Sequence, residues 1–410
     1  MVGPNGAGVM SGLRPSPRDR TLDAALAAPS SLAGIMAIYA FSGPSAARPT
    51  MSLNTLYAAS SGFEAARRLE RLPPGHRAQR LHGHSFHASV RSPLGAGWAP
   101  FPGGEVQQLR DALAQLTARL DHRLLNDVLD EPGDVALARW LQARIELPGG
   151  ARVGLRSRPD AGVELDANGL AHPWRRYVLH AAHRLPNVPP GHKCGRMHGH
   201  GFGVQLHAAG ADGELDHDRL DALWAPLHAE LDHACLNDVP GLDNPTSEVL
   251  SSWLWQRLRP QLPELSGVTV FETVSSGAHY DGRLHRIWKE LKLDSALQLR
   301  RAPPGSAARR LHGHTYTLRL HLSAPLDVLY GWTVDFGDVK RLFNPIFELL
   351  DHRPLHEIAD LEDCDTESLA RWILERARGE LPQLDRVDLF ETPGCGAIVG
   401  IGDATAVPLG

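Results

Sequence analysis

Residues 180–202 read H-A-A-H-R-L-P-N-V-P-P-G-H-K-C-G-R-M-H-G-H-G-F. Three of these histidines carry chemistry: His183, and the pair His198 and His200 with one glycine between them. Side chains on an extended segment alternate between faces, so H-x-H presents both imidazoles on one side. A third imidazole on a neighbouring strand completes a three-histidine set with an open fourth position, the arrangement of a catalytic zinc. Residues 178–185 can supply that strand, with 186–191 opening the loop between. Cys194 lies in this loop, four residues before His198. A metal and the basic Lys193 and Arg196 are expected to favour its thiolate there.

A single H-G-H is weak evidence in a chain with 22 histidines, and a lone cysteine is more often a small buried hydrophobe than a base. The weight comes from repetition. H-G-H occurs at His82/His84, His198/His200 and His312/His314, separated by 116 and 114 residues. Each follows a P-P-G: Pro73-Pro74-Gly75, Pro189-Pro190-Gly191 and Pro303-Pro304-Gly305. Each precedes an L-D-H: Leu120-Asp121-His122, Leu231-Asp232-His233 and Leu350-Asp351-His352. Trp140, Trp253 and Trp372 then recur inside a helical pattern. The chain is a tandem triplication, with units at 51–170, 171–285 and 286–410.

The middle unit shows the pattern of one repeat. Residues 177–185 and 200–208 read as strands. Leu220, Leu223, Trp224, Leu227 and Leu231 fall at helical spacing over 218–231. Thr246 or Ser247 suits an N-cap, with Glu248 in the first turn of a helix running to about 259. Residues 268–274 return as a strand, and 280–287 offer a fourth. The fold class is α+β, each unit being β-β-α-α-β-β.

The units differ at the chemistry. Aligned on P-P-G and H-G-H, His183 becomes Arg67 in the first and Leu297 in the third, and Cys194 becomes Ala78 and Ala308. Glu272 pairs with Arg156 in the first unit and with Glu391 in the third. Two imidazoles hold zinc much more weakly than three. The outer pairs read as relics bonded to nearby backbone or as holders of a weak adventitious metal. The middle unit has every part and is expected to bind the zinc.

At 410 residues the prior is two or three domains. A net charge of −5 gives no footprint for nucleic acid or an anionic membrane surface. Four cysteines without a C-x-x-C pair point to a reducing, cytoplasmic setting rather than a disulfide framework. No apolar run reaches the roughly 18–20 residues of a membrane span. Residues 32–41 follow Arg14, Arg18 and Arg20 and can be read as a signal peptide. Acidic Asp19 and Asp23 favour instead a disordered extension over 1–50, with Met51 an alternative start. Asp335-Phe336-Gly337 matches a kinase triplet, but nothing else in the chain supports that reading.

The middle unit resembles the 6-pyruvoyl-tetrahydropterin synthase family, in particular its bacterial 6-carboxy-tetrahydropterin synthase branch. The residues that carry the resemblance are Ala181-Ala182-His183-Arg184-Leu185, Gly191-His192-Lys193-Cys194-Gly195-Arg196 with His198-Gly199-His200, Leu231-Asp232-His233, Asn244-Pro245-Thr246-Ser247-Glu248 and Phe271-Glu272-Thr273. The resemblance implies three tunnelling-fold (T-fold) units closing a 12-stranded antiparallel barrel with helices outside. The ring is then complete within one chain, as a monomeric pseudo-trimer or a face-to-face homodimer. It also implies a zinc-dependent lyase acting on 7,8-dihydroneopterin triphosphate. Zinc is held by His183, His198 and His200, and Cys194 is the base. Asp232 and His233 form a proton relay, and Glu272 anchors the pterin with help from Glu248 and Thr246. The bacterial branch releases triphosphate and acetaldehyde and leaves 6-carboxy-tetrahydropterin, a precursor of queuosine. The alternatives are the pyruvoyl-forming reaction and a non-catalytic zinc and pterin-binding ring. Family sites lie between subunits, so Asp121, His122, Asp351, His352, Glu367 and Glu391 are reserve candidates.

Overall fold

The computed structural model describes residues 52–210, 217–361 and 363–406. The expectations for residues 1–50 fall outside them. Each unit contributes two long strands, two helices and two further strands. The first unit has β1 (Leu53–Arg67), β2 (His82–Ser92), α1 (Glu105–Thr117), a two-residue β3 (Arg123–Leu124), α2 (Asp134–Gln142), β4 (Arg152–Arg158) and β5 (Ala161–Leu165). The second has β6 (Ala171–His183), β7 (His198–Ala208), α3 (His217–Leu231), α4 (Ser247–Leu258), β8 (Leu265–Thr273) and β9 (Ser276–Tyr280). The third has β10 (His285–Leu297), β11 (His312–Ala324), α5 (Phe336–Leu350), α6 (Thr366–Ala377), β12 (Leu384–Thr392) and β13 (Cys395–Ile401).

Twelve strands form one antiparallel sheet, and β13 pairs back onto β1 from Leu53↔Ile401 to Ala58↔Gly396. Closure removes the free edges that a four-stranded unit would expose. The short β3 adds a parallel pairing to β1. Alternation along each strand sends one set of side chains outward to the helices. In the second unit Phe202, Val204, Leu206, Val268 and Val270 pack against Leu220, Trp224, Leu231, Leu250 and Leu254. The opposite set faces the barrel interior and is polar, so it must satisfy itself. His207 Nε2 lies 3.0 Å from Thr269 Oγ1, which lies 2.8 Å from His279 Nδ1. Buried Arg386 and His321 both bond Asp388. Among the described residues no helix is long and apolar enough to cross a membrane.

The expected strand at 280–287 does not exist as one element. Tyr280 ends β9, and a turn follows in which Asp281 Oδ1 accepts the Arg283 and Leu284 N–H groups, each at 2.8 Å. His285 then opens β10 of the next unit. Gly282 takes a φ of +89° in this turn, a conformation that a side chain at that position would strain.

The L-D-H motif proves to be a structural corner as well. His122, His233 and His352 all sit at positive φ. The preceding Asp121, Asp232 and Asp351 each accept a backbone N–H from the first strand of their unit, at 2.8, 2.8 and 2.9 Å. That shared role explains why all three units carry the motif.

Candidate active site

The antiparallel register of β6 and β7 sets His183 opposite His198 and Ala181 opposite His200. All three imidazoles therefore share a face, and one ring nitrogen from each lies within 4.8 Å of the others. The Nε2 atoms of His183 and His200 are 3.2 Å apart. Each Nδ1 has a backbone carbonyl to donate to: Pro245 O at 3.1 Å from His183, Arg196 O at 2.8 Å from His198 and Gly201 O at 3.4 Å from His200. Such bonds select the tautomer that leaves Nε2 with a free lone pair. His183 is buried, with Phe202 packed at its ring edge. Burial lowers its pKa to about 4, against the bond to Pro245 and together with His198 and His200. Its imidazole is neutral at physiological pH. The donor set is one that can hold a metal ion, and neutral nitrogens suit zinc.

Beside the histidines lies a narrow cavity of about 40 Å³. The second unit lines it with His183, Cys194, Thr246, Glu248 and Glu272, and the third with Trp332, Val334, Asp335 and Phe336. The loop before α5 is tied down across the cleft. Asn244 Nδ2 donates to Tyr330 O at 2.6 Å, Thr246 Oγ1 to Gly331 O at 2.6 Å, and Thr333 N–H to Glu248 Oε1 at 3.0 Å. His192 Nε2 stands 3.3 Å from Asp335 Oδ2. Thr246 also caps α4, accepting the Val249 N–H at 3.1 Å, so its hydroxyl is already committed in two directions.

The acids here are held towards their neutral forms. Burial pushes Glu248 up to about 7, against the bond from Thr333 and with added repulsion from Glu272. Burial likewise raises Glu272, opposed by His200, His198 and a hydrogen bond from Ser247. Among the protein's own groups, burial and the nearby Glu272 raise the Cys194 thiol and outweigh the lowering by Lys193, so the expected thiolate would rest on the metal. The expected help from Arg196 is not among the causes.

Asp232 and His233 form a pair, with Oδ2 2.9 Å from Nδ1. They stand apart from the cavity. His233 lines an open groove with His180, Gly199, His200 and Cys235, and its side chain is 78% exposed. His200 belongs to this groove and His183 to the cavity, so the histidine cluster separates the two. None of the reserve candidates Asp121, His122, Asp351, His352, Glu367 and Glu391 lines the cavity. The third unit's contribution comes instead from Trp332 and the Asp335-Phe336 pair. The signal for it was present, since Asp335 is the N-cap of α5 and accepts the Gly337 N–H at 2.7 Å.

The family model described as 6-pyruvoyl tetrahydropterin synthase matches three segments, residues 57–153, 174–283 and 286–400. The chain belongs to the 6-pyruvoyl tetrahydropterin synthase family. Over 118 residues it is 36% identical to the 6-carboxy-5,6,7,8-tetrahydropterin synthase of Synechocystis sp., covering 26% of this chain and 90% of that protein. Over 84 residues it is 37% identical to the dihydroneopterin monophosphate aldolase of Pyrococcus furiosus, covering 20% of this chain and 70% of that one. Among solved structures, the 6-pyruvoyl tetrahydropterin synthase of Caenorhabditis elegans aligns at 18% identity with a TM-score of 0.27, over 29% of this chain and 96% of that chain.

Within this family member the sheet register corrects one pairing between units. Phe271 pairs with Gly203, three residues beyond His200, and Arg156 pairs with His87, three beyond His84. Phe271 therefore corresponds to Arg156, and Glu272 to Ser157. Both lie at the same irregularity before the turn, between Arg156 and Arg158 in the first unit and between Phe271 and Thr273 in the second.

Proposed function

We propose that the protein is a zinc-dependent 6-carboxy-5,6,7,8-tetrahydropterin synthase. It would convert 7,8-dihydroneopterin triphosphate and one water to the 6-carboxy product with release of triphosphate and acetaldehyde. The observation that carries this reading is the convergence of His183, His198 and His200 beside a cavity that also holds Cys194, Glu248 and Glu272. The Synechocystis relative's name supports the carboxy-forming branch.

Zinc held by the three histidines would supply Lewis acidity towards the vicinal hydroxyls of the substrate side chain. Cys194 takes the proton from the adjacent carbon. Its raised pKa makes the thiolate it forms a stronger base than an exposed one. Glu272 accepts hydrogen bonds from the amidine edge of the pterin, a planar pairing that fixes the ring. Glu248 and Thr246 hold the wall contributed by the third unit. His233, oriented by Asp232, moves a proton on the groove side of the histidine cluster.

The test is mass spectrometry of products after incubating the zinc-loaded protein with 7,8-dihydroneopterin triphosphate. The 6-carboxy product supports the reading. A 6-pyruvoyl product moves the protein to the other branch, and intact triphosphate makes it a non-catalytic pterin-binding ring. We also propose that the closed ring is a monomer or a face-to-face dimer; light scattering that gives three chains per particle would overturn this.

A further inference from the structure

The place of Cys194 beside the histidines is set through its backbone. Its carbonyl accepts the Leu185 N–H at 2.8 Å, two residues after His183. Its own N–H donates to His192 Nδ1 at 3.2 Å, which caps the short turn Lys193–Gly195. An imidazole nitrogen that accepts carries no proton, so the His192 ring proton sits on Nε2. That Nε2 faces Asp335 Oδ2 at 3.3 Å, across the boundary between the second and third units. Asp335 is itself fixed, since its Oδ1 caps α5 and accepts the Gly337 and Asp338 N–H groups at 2.7 and 3.1 Å.

The other two units supply the comparison. In the first, His76 Nδ1 accepts the Ala78 N–H at 3.1 Å, and its Nε2 lies 3.0 Å from Asp218 Oδ2 of the second unit. The same clasp is present there without a thiol to hold. In the third unit Ser306 takes the histidine's place and makes no side-chain bond to the turn, and Ala308 stands where the cysteine would be. A clasp between units therefore occurs in two clefts. Only in the second does it end on a residue with chemistry.

We propose that Asp335 of the third unit is a positioning residue for Cys194, acting through His192. A carboxylate facing Nε2 favours the tautomer with its proton there, and that tautomer leaves Nδ1 free to accept the Cys194 amide. The thiol is thereby held at the cavity wall, which Cys194 and Asp335 both line, by a residue of the neighbouring unit. The Asp335 charge also adds to the rise that burial and Glu272 impose on the thiol, which makes its thiolate a stronger base. The effect on turnover rests on the function proposed above; the link from Asp335 through His192 to the Cys194 amide does not.

The experiment reads the His192 tautomer by nitrogen NMR of the zinc-loaded protein, the signal being assigned by its loss in His192→Asn, and sets it beside steady-state kinetics. Asp335→Asn keeps the cap on α5, because asparagine caps a helix as well as aspartate does. With its oxygen on the cap, the amide presents a donor where the carboxylate accepted. The ring proton is then expected to move to Nδ1, and the Cys194 amide to lose its protection from hydrogen exchange. Turnover of 7,8-dihydroneopterin triphosphate is expected to fall about 10–100-fold with KM within a few-fold, as when an orienting partner is removed. Asp218→Asn, which cuts the clasp of the first cleft, is expected to leave turnover unchanged. His192→Asn keeps an acceptor for the Cys194 amide but severs the link to Asp335, so adding Asp335→Asn to it is expected to bring no further loss. A parent ring with a proton on Nδ1 overturns the proposal. So does Asp335→Asn turning over like the parent, or losses in the two variants that multiply when combined. If the parent leaves the pterin triphosphate unconsumed, the proposed reaction fails, and the link is then upheld by the tautomer switch in Asp335→Asn or overturned by its absence.

Discussion

The clefts of the first and second units are built from the same elements, and they differ in what meets the histidine pair. In the second, His183 comes from β6 to join His198 and His200, and all three rings are free to offer Nε2. In the first, Arg67 stands opposite His82 as His183 stands opposite His198. Its Nη1 donates to Asp134 Oδ1 at 2.7 Å and to Pro132 O at 3.0 Å. Ser157 Oγ donates to the other Asp134 oxygen at 2.7 Å. The acid and the hydroxyl have exchanged elements: Ser247 on the helix faces Glu272 on the strand, while Asp134 on the helix faces Ser157 on the strand. The third unit keeps the original order, with Thr366 Oγ1 2.7 Å from Glu391 Oε2, but offers Leu297 in place of a third histidine. The first unit pairs its acid with a fixed guanidinium at the position where the second offers a third imidazole.

The largest effect expected from this contrast is on metal. The protein should carry roughly one tightly bound zinc per chain, and His183→Ala should lose it together with all turnover. Elemental analysis giving close to three zincs would erase the distinction between the clefts. Next comes Cys194→Ala, which should keep the zinc and lose about 10²–10⁴ in turnover if general-base catalysis is its whole contribution. Alanine at Cys235, Cys364 or Cys395 should leave turnover nearly unchanged. Release of zinc by Cys194→Ala would make the cysteine a ligand, and near-normal activity would put the base elsewhere.

In the first cleft the expected effect is on stability instead. Arg67→Ala leaves Asp134 buried without its counter-ion and should cost about 3–5 kcal/mol in urea unfolding, with zinc content unchanged. A cost below 1 kcal/mol would mean that the pair is not what holds this cleft. The smallest effect concerns Glu248, whose place in the first unit is taken by Val135. Its pKa is raised from 4.5 to about 7 in the folded protein, so between these values the folded state binds the proton more tightly than the unfolded chain. Its contribution to stability is therefore present below pH 4.5 and is lost as pH rises through 7. Glu248→Gln removes that loss and should exceed the parent by about 3 kcal/mol at pH 8, with most of the gap gone at pH 5. Equal urea midpoints for the two proteins at pH 8 would show that Glu248 ionises freely.

The triplication and the histidine trio were legible because they rest on short-range rules. H-G-H needs only the period of two along a strand, and its spacing from P-P-G and L-D-H repeats without regard to the rest of the chain. The same rules led to Thr246 or Ser247 as the α4 cap, which the structure resolves as Thr246, and to the histidine on β6. They failed at Glu272 and Ser157, which the strand pairing with β7 and β2 brings into correspondence, and at 280–287, where a turn cuts the apolar run.

What the sequence determined alone was the number of units, their element order and the three imidazoles that meet across one strand pair. Tertiary structure decided which unit completes the cavity. Trp332, Asp335 and Phe336 reach Cys194 because β10 follows β9 around a closed sheet, which brings the start of α5 over the neighbouring unit. It decided the surroundings of Cys194 too. Adjacent Lys193 and Arg196 suggest a thiolate on paper, but removal from water and the approach of Glu272 act through space and reverse the balance. Local pattern specifies which groups a strand or helix presents. Burial and long-range packing decide what those groups meet, and hence their charge.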